Sequence, residues 1–507
     1  MTAATLSASR IVGGFRYLAE RSERLALTAI LVAAAANFFW QLGSSSYFTD
    51  EAFSVMHSLP SFGTLFSRVA DTETTPWTYF LFLHEWLLRT GSQSEWVTRM
   101  PSAVAGVALV GAVYWMAGAF VERRVAVWAA ALCAISPLVQ SYAQETRVYV
   151  FVMLALTVAV GATVRACHRG NGRVPLLTLG ALSAFLAIWL HYSAVSVVLP
   201  LGVWVATRSE LSWRERVGFV VACVVAQATV TPLLLEQYHR FPNGGVIAGA
   251  INWNNVVSVA GTPFGTRVGT PVNIRSIGGA AIVICSVLAL VLSPRRKQVA
   301  ERGLLVALGG VGVIGVFVLD LAGKDILITR YTAVSAPFLV TAIAAACASL
   351  PRFGVVVLAA GAVAVSAVGL IDNHSPSGFY APARQVIDYI APRERQGDFM
   401  LSPGFPLTDT PIFYYDTRRL RPKLRFIGIE DPGVRAVFRR QERIWIVDNP
   451  AQATPTAALS IVEPLLHEAR YRAASVHVYT TSLTLAVLLV VPEAEAHHPT
   501  PRSKNAG

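Results

Sequence analysis

Long apolar stretches recur along most of the chain, and short polar segments separate them. A helix needs about 17 to 25 apolar residues to cross a bilayer, and about eleven stretches approach that length. They lie at residues 25–43, 101–120, 126–140, 148–164, 176–190, 193–206, 217–235, 277–293, 303–322, 331–350 and 353–371. Only His191 and Tyr192 divide the fifth stretch from the sixth, so these two could also form one long helix. The pattern predicts a polytopic α-helical membrane protein with about eleven transmembrane helices.

The polar segments differ in their charge, which predicts the orientation of the chain. Lys and Arg concentrate in alternate segments, at 1–24, 121–125, 165–175, 207–216, 294–302 and 351–352. Because cytoplasmic loops of membrane proteins collect basic residues, we expect a cytoplasmic N-terminus in the plasma membrane. The first segment has no evident cleavage site, so we interpret the stretch that follows it as an anchor rather than a signal peptide. Residues 372–507 are then extracytoplasmic.

Composition supports the membrane assignment. The chain is 54% hydrophobic and only 14% charged, whereas about a quarter of the residues of a soluble domain are charged. An excess of 42 Lys and Arg over 30 Asp and Glu would by itself suggest a nucleic-acid partner. The position of the basic residues explains the excess by topology instead, so no nucleic acid is expected. The five cysteines are widely separated and form neither a disulfide framework nor a CxxC metal motif.

The last part of the chain changes in character after a membrane module that we place at residues 1–371. Short apolar runs alternate with polar ones over residues 372–495, which predicts a soluble extracytoplasmic α/β domain. Val476–Tyr479 and Leu483–Val491 are predicted to be paired strands, because the second run is too short to span a membrane. Residues 496–507 are rich in His, Pro and Ser and are expected to be disordered.

The first outward loop, residues 44–100, carries candidate chemistry. Asp50 and Glu51 are adjacent carboxylates just beyond the outer end of the first helix. A general base at this position could meet a substrate carried by a lipid. The structural alternative is a helix start, where acidic side chains are also favoured.

Farther along the same loop, two acidic residues precede an aromatic-rich stretch. Asp71 and Glu73 lie before a turn signal, and residues 78–88 predict an amphipathic helix lying in the membrane interface. His84 in that helix is a candidate cavity residue. A surface or hydrogen-bonded role fits it better than a metal-ligand role, because no second ligand stands four residues later.

Four pieces of this loop together resemble C-type integral-membrane glycosyltransferases, the relatives of protein O-mannosyltransferases and of the aminoarabinose transferase that modifies lipid A. The pieces are Asp50-Glu51, Glu73-x-x-Pro76-Trp77-x-Tyr79-Phe80-Leu81, Trp86-x-x-x-x-Gly91 and Arg99-Met100-Pro101-Ser102-Ala103-x-x-Gly106, in this order. The chain departs from the usual pattern in having Pro76-Trp77 where many relatives have two prolines. Asp71 and Glu73 also compete for a single acidic position of the pattern.

Two other outward segments are similar to segments of the same family. Residues 140–149 resemble its glutamine-acid-x-Arg-x-Tyr segment and contain Glu145, Arg147 and Tyr149. The alternative for Arg147 is a structural ion pair. Residues 324–337 resemble an Arg-Tyr segment followed by proline, with Lys324, Arg330 and Tyr331. The resemblance implies that the carrier phosphate binds near this segment, since a guanidinium group suits phosphate oxygens. Anchoring to lipid headgroups is the alternative.

The remaining outward candidates are a helix end and a long loop. His191 and Tyr192 are expected to face the same side and to line the substrate cavity, with a structural role at a helix end as the alternative. The loop at 236–276 contains His239 and is rich in Gly, Asn and Pro, which predicts a mobile covering segment. It has no nucleotide-binding motif.

The resemblance implies an enzyme that transfers a sugar from a polyprenyl-phosphate donor to a hydroxyl of an envelope glycan, a glycolipid or a protein. Asp50 would act as general base with Glu51 assisting, and Arg330 and Arg147 would bind the phosphate. Attack opposite the leaving group would invert the anomeric configuration. Asp50 with Glu73 or Asp71 could also hold a divalent cation, although no metal motif is evident.

Two other classes of protein were compatible with the pattern. A transporter or lipid flippase would place ionisable residues near the middle of its helices, and this chain has almost none there. A noncatalytic assembly subunit would tolerate loss of the loop acids. The sequence does not specify the sugar, the acceptor or the oligomeric state.

Overall fold

The computed structural model describes most of the chain in separate ranges. These are residues 3–59, 61–240, 252–265, 273–292, 299–319, 321, 329–374, 382–402, 406–419, 425–428, 434–439, 443–448, 454, 456, 462–463, 466–467, 469–479 and 485–493. The chain divides into two compact units. The first unit contains Met1–Leu42 and His57–Asn373, and the second contains Gly43–Met56 and His374–Gly507.

Helices make up almost all of the described part of the first unit. Up to the middle of the chain they are α1 (Ala3–Phe39), α2 (Thr49–Ser58), α3 (Phe62–Thr72), α4 (Thr78–Thr90), α5 (Glu95–Phe120), α6 (Arg123–Ala134), α7 (Pro137–Ala143), α8 (Tyr149–Cys167), α9 (Arg173–Leu190), α10 (Val195–Ala206) and α11 (Trp213–Arg240). They continue with α12 (Trp253–Ala260), α13 (Ile274–Leu292), α14 (Val299–Leu319), α15 (Thr329–Thr332), α16 (Ala336–Cys347) and α17 (Arg352–His374). Helix α2 begins in the second unit and ends in the first.

Within the described ranges, eight helices are long and apolar enough to cross a membrane, and a bent pair of helices gives a ninth. Every stretch predicted to span coincides at least in part with a helix. The predicted number of about eleven is nevertheless not confirmed. The stretch at 193–206 forms a helix too short for this count, and the stretch at 303–322 runs beyond the described residues.

The bent pair replaces the single helix predicted over residues 126–140. Helices α6 and α7 meet at an angle of 59°. Pro137 has no backbone N–H to continue helix α6, and it occupies the first turn of α7, where that N–H is not needed. Ser136 caps the new helix by accepting a hydrogen bond from the N–H of Val139. The proline therefore ends one helix and starts the next.

Two other helix ends bear on the predicted boundaries. His191 has an extended backbone, with φ −160° and ψ 134°, so α9 ends at Leu190 and the stretch from 176 to 206 forms two helices. Helix α11 continues to Arg240, five residues beyond the predicted end at 235. The predicted loop at 236–276 therefore begins as helix and also contains α12.

Helices α5, α8 and α9 pack closely because glycines lie where they meet. A Cβ atom on Gly161 of α8 would lie 2.7 Å from the ring of Trp115 on α5. A Cβ on Gly180 of α9 would collide with the hydroxyl of Thr163 on α8. Small residues of this kind let helix backbones approach each other inside a bilayer.

The second unit contains a five-stranded mixed sheet in the order β2-β1-β3-β5-β4. Its strands are β1 (Phe399–Ser402), β2 (Arg425–Gly428), β3 (Ile444–Asp448), β4 (Tyr471–Tyr479) and β5 (Leu485–Pro492), and its helices include α18 (Ala383–Ile390), α19 (Pro406–Arg419) and α20 (Val434–Phe438). Strands β1, β2 and β3 are parallel, whereas β5 pairs antiparallel with both β3 and β4. The pairing of β4 with β5 confirms the strands predicted at the end of the chain.

A buried tryptophan stabilises the centre of this sheet. Trp445 of β3 is fully buried, and its indole N–H donates a 2.9 Å hydrogen bond to Asp398, just before β1. The pairing satisfies a polar atom that would otherwise be costly to bury. Residues 43–56 join this unit, which no feature of their sequence predicts. The expected disordered tail, residues 496–507, lies outside the described residues.

Candidate active site

The candidate base lies at the start of α2. Asp50 and Glu51 occupy the first turn of this helix, where the helix dipole favours carboxylates. Glu51 is fully buried, and its Oε2 accepts a 3.1 Å hydrogen bond from the backbone N–H of Phe48. Asp50 is partly exposed. Glu51 therefore caps its own helix, which is the structural role left open by the sequence, while Asp50 is the more accessible carboxylate.

The structure distinguishes Glu73 from Asp71. Oε1 of Glu73 lies 3.2 Å from Nδ1 of His57, and both side chains are about nine-tenths buried. Asp71 pairs instead with Arg240, and both of these side chains are nearly half exposed. Glu73 is thus the enclosed acid, and Asp71 forms a surface ion pair.

Sequence reasoning missed His57. It lies in the last turn of α2, seven residues after Asp50, which corresponds to two helical turns on one face. That spacing was the available signal. The partner in the following loop could not be found from spacing alone, since Glu73 is 16 residues away.

His84 has a hydrogen-bonded structural position. The side chain is buried, and Nδ1 donates a 2.8 Å hydrogen bond to the carbonyl of Ser58 at the end of α2. This agrees with the role preferred from the sequence over metal binding. Within the ranges that the structure describes, no group of three or more His, Cys, Asp or Glu side chains could hold a metal ion.

His191 is the centre of a second cluster, formed by residues from three segments of the first unit. Its ring lies 5.4 Å from that of Tyr149 and 6.1 Å from that of Tyr331. The guanidinium group of Arg147 lies 5.8 Å from the centre of the Tyr149 ring, and that of Arg330 lies 5.8 Å from the centre of the Tyr331 ring. The structure thus brings together the two arginines, the histidine and the two tyrosines that the sequence singled out separately.

Electrostatics make this cluster cationic while His191 itself stays neutral. Burial, and to a smaller extent the nearby charges of Arg147 and Arg330, lower the pKa of His191 to about 3. Desolvation disfavours the imidazolium form, and like charges add to that effect. Both charged groups that shift the pKa of His191 are positive, and guanidinium groups suit the oxygens of a phosphate.

Gln237 connects Tyr192, next to the cluster, with the first loop. Sequence reasoning missed this residue as well. Its side chain is buried, its Oε1 accepts from the hydroxyl of Tyr192, and its Nε2 donates to the carbonyls of Val69 and Thr75. A glutamine near the end of an apolar helix gives no sequence signal for three such partners. It fixes the ends of the segment that contains Glu73.

Other predicted residues bond within their own segments or lie outside the described ranges. Glu145 accepts a 3.4 Å hydrogen bond from Ser141 in the turn before α8. His239 is exposed and bonds to the carbonyl of Leu235 in its own helix. Lys324 lies outside the described residues.

Comparisons with known proteins agree with the family suggested by the sequence. A family model described as dolichyl-phosphate-mannose-protein mannosyltransferase matches residues 75–235. The crystal structure of ArnT from Cupriavidus metallidurans in the apo state superposes with a TM-score of 0.59 at 13% identity, covering 93% of this chain and 99% of that chain. The resemblance to C-type integral-membrane glycosyltransferases is confirmed. No curated protein sequence matches.

A second structure of ArnT from the same organism, bound to undecaprenyl phosphate, superposes with a TM-score of 0.57 at 13% identity, covering 91% of this chain and 97% of that chain. A fold like that of ArnT therefore extends over nearly the whole chain, which is a multi-pass membrane protein. The matched family region contains Arg147, Tyr149 and His191, whereas Asp50 and Arg330 lie outside it.

Proposed function

We propose that this protein transfers a sugar from a polyprenyl-phosphate donor to a hydroxyl acceptor on the outer face of the membrane. The C-type fold supports the reaction class, and ArnT of this fold has been seen with undecaprenyl phosphate. The family model that matches residues 75–235 is that of an enzyme using a dolichyl-phosphate sugar.

The cationic cluster around His191 is the observation that carries the proposal. Arg147 is buried and Arg330 is partly buried, and both act on the same imidazole. A guanidinium group presents several donors in a fixed geometry that suits phosphate oxygens, so two of them near one imidazole favour a phosphate site. We assign the donor phosphate to Arg330 and Arg147, with Tyr331 and Lys324 as further partners.

In this mechanism Asp50 is the general base. As the acceptor oxygen attacks the anomeric carbon, its proton passes to Asp50. The bond between that carbon and the phosphate oxygen breaks, and the arginines stabilise the charge that develops on the leaving phosphate. Displacement from the opposite side inverts the configuration. Glu51 contributes by fixing the start of the helix that carries Asp50.

The test is transfer by the purified protein in nanodiscs, using a panel of labelled polyprenyl-phosphate sugars and a membrane extract as the source of acceptor. Asp50→Asn is expected to bind donor and to lose about 100- to 10,000-fold in turnover. Arg330→Ala is expected to raise the donor KM. Glu85→Gln and Arg89→Ala are matched controls, because these residues form an exposed pair on α4.

Retained turnover in Asp50→Asn would remove the base assignment, and an unchanged donor KM in Arg330→Ala would remove the phosphate assignment. The chemical class of the labelled product identifies the acceptor as an envelope glycan, a glycolipid or a protein. Labelling of single introduced cysteines in intact cells tests the orientation. Accessible labels at residues of the sheet and protected ones at the start of α1 are expected.

A further inference from the structure

The backbone that leads into α2 is held by hydrogen bonds from α18. We call residues 43–48 the lead-in segment. The guanidinium group of Arg384 donates to the carbonyls of Gly43, at 3.2 Å, and of Ser44, at 2.6 Å. Ser46 accepts a 3.1 Å bond from the backbone N–H of Arg384 and donates a 2.9 Å bond to Gln385. One turn of α18 therefore fixes most of the lead-in segment.

Helix α19 holds the next residue of the segment. Tyr47 is fully buried, and its backbone N–H donates a 2.8 Å hydrogen bond to the hydroxyl of Tyr415. The two rings also stack, with their centres 6.1 Å apart and their planes 18° apart. Tyr414 contacts the same ring edge-on at 5.2 Å.

These contacts end just before the helix that carries the candidate base, Asp50. The N–H of Tyr47 is bound by Tyr415, and the next N–H along the chain, that of Phe48, is bound by Glu51. Asp50 follows two residues later, in the first turn of the helix. Side chains thus fix two successive N–H groups immediately before α2, which sets the direction in which the helix begins.

We propose that Arg384 and Tyr415 are positioning residues, through which the second unit holds Asp50 in the geometry required for proton abstraction. The proposal rests on the proposed function, because it assigns no chemistry of its own. A general base must be held within a fraction of an ångström of its productive position, and a misplacement of about 1 Å is enough to cost a large factor in rate. A purely structural contact would affect the stability of the unit without selectively lowering turnover.

Tyr415→Phe is the sharpest variant, since it removes only the oxygen that accepts the Tyr47 N–H and keeps the ring. Tyr414→Phe is its matched control, because the hydroxyl of Tyr414 bonds to Arg418 and the edge-on contact with Tyr47 remains. Amide hydrogen exchange is measured first. Faster exchange at Tyr47 is expected in Tyr415→Phe and unchanged exchange in Tyr414→Phe.

Kinetics with the polyprenyl-phosphate donor give the second measurement. Tyr415→Phe is expected to lower kcat about ten-fold, with an unchanged donor KM, whereas Tyr414→Phe stays near wild type. Arg384→Ala is expected to lower kcat as well, and Arg384→Lys to restore part of it by keeping one donor. Combining Tyr415→Phe with Asp50→Asn is expected to add no further loss, because the tyrosine acts through that carboxylate.

The outcomes separate the two proposals. A wild-type protein without transferase activity overturns the proposed function, and the positioning role with it, even if the exchange pattern is as expected. An active wild type whose Tyr415→Phe variant shows faster exchange at Tyr47 but wild-type kcat overturns the positioning role alone. A Tyr415→Phe variant that fails to fold leaves the comparison of Arg384→Lys with Arg384→Ala as the test, and equal kcat in those two overturns the role.

Discussion

The hydroxyl of Ser193 donates a 2.8 Å hydrogen bond to Nδ1 of His191, and the backbone N–H of the same serine donates a second one of 3.1 Å. A backbone N–H is always a donor, so Nδ1 carries no proton and the proton of the neutral ring lies on Nε2. Nε2 forms no hydrogen bond within the described ranges. His191 thus presents one N–H donor beside Arg147 and Arg330.

The first prediction concerns that donor. Asn at position 191 can accept from Ser193 as Nδ1 does but lacks the distal N–H, whereas Gln can place an N–H near the position of Nε2. If the donor phosphate uses this N–H, His191→Asn should raise the donor KM about ten-fold, the worth of one hydrogen bond to a charged group, and His191→Gln should raise it less. Steady-state kinetics measure the difference. Equal values for the two variants would show that Nε2 contacts no substrate.

Acid stability provides the second prediction. The pKa of His191 is about 3 in the folded chain, because of burial and the two arginines, and about 6.5 in an unfolded chain. Between these values the unfolded chain binds a proton that the folded chain does not, so stability falls as the pH decreases from 6.5 towards 3. The loss is at most about 1.4 kcal/mol per pH unit.

Thermal unfolding of the protein in detergent between pH 7 and pH 4 measures this loss. His191→Asn has no such proton, so its unfolding temperature should decrease less steeply on acidification. Parallel curves for the two proteins would contradict the assignment of His191 as a buried neutral base.

The third prediction separates the two acids of the first loop. Glu73→Gln removes the charge beside His57 in an enclosed site and should lower the free energy of unfolding by about 1–3 kcal/mol, with reduced transfer. Asp71→Asn breaks an exposed ion pair with Arg240, which should change stability by less than about 1 kcal/mol. Unfolding in denaturant and the transfer assay report both effects. A larger loss in Asp71→Asn would reverse the assignment.

The cap formed by Glu51 gives a fourth prediction. Glu51→Gln keeps an oxygen that can accept from the N–H of Phe48, so it should retain most of the stability. Glu51→Ala removes the acceptor and should cost about 1 kcal/mol, as other helix caps do. Transfer is expected to follow the same order. Activity lost equally in both variants would show that the charge of Glu51, rather than its cap, is needed.

Gln237 is the subject of the fifth prediction. Gln237→Ala leaves the carbonyls of Val69 and Thr75 without this donor in a buried place, and should destabilise the first unit by about 2–4 kcal/mol. Gln227→Ala is the control, because within the described part of the chain that side chain bonds to Thr231 on the same helix, and its loss should cost less than about 1 kcal/mol. The unfolding temperatures of the two variants test this, and equal decreases would contradict the role of Gln237.

The apolar pattern predicted where the helices of the first unit lie, because crossing a bilayer demands a length that few other structures need. It did not predict the bend between α6 and α7, although Pro137 was visible in the run, since a proline inside a transmembrane stretch is often tolerated. In the structure, the cap that Ser136 supplies accompanies the proline at the start of α7.

The site was predicted unevenly for a similar reason. Arg147 and Arg330 were recognised because their segments resemble those of a known family, and His191 because it interrupts a long apolar run. Their common cluster depends on packing between segments that are far apart in sequence. The choice of Glu73 over Asp71 depends on His57, whose partner in another element is invisible to spacing arguments.

The contacts of the lead-in segment also could not be predicted from the sequence, and they have a consequence for protein engineering. Arg384 and Tyr415 bind mainly backbone atoms of residues 43–47, so these residues carry no side-chain signature of the interaction. The second unit is built from two pieces of chain that are more than 300 residues apart. A chimaera that exchanges the C-terminal domain between relatives should therefore exchange residues 43–56 with it. Otherwise the new domain lacks side chains matched to the backbone that leads into α2.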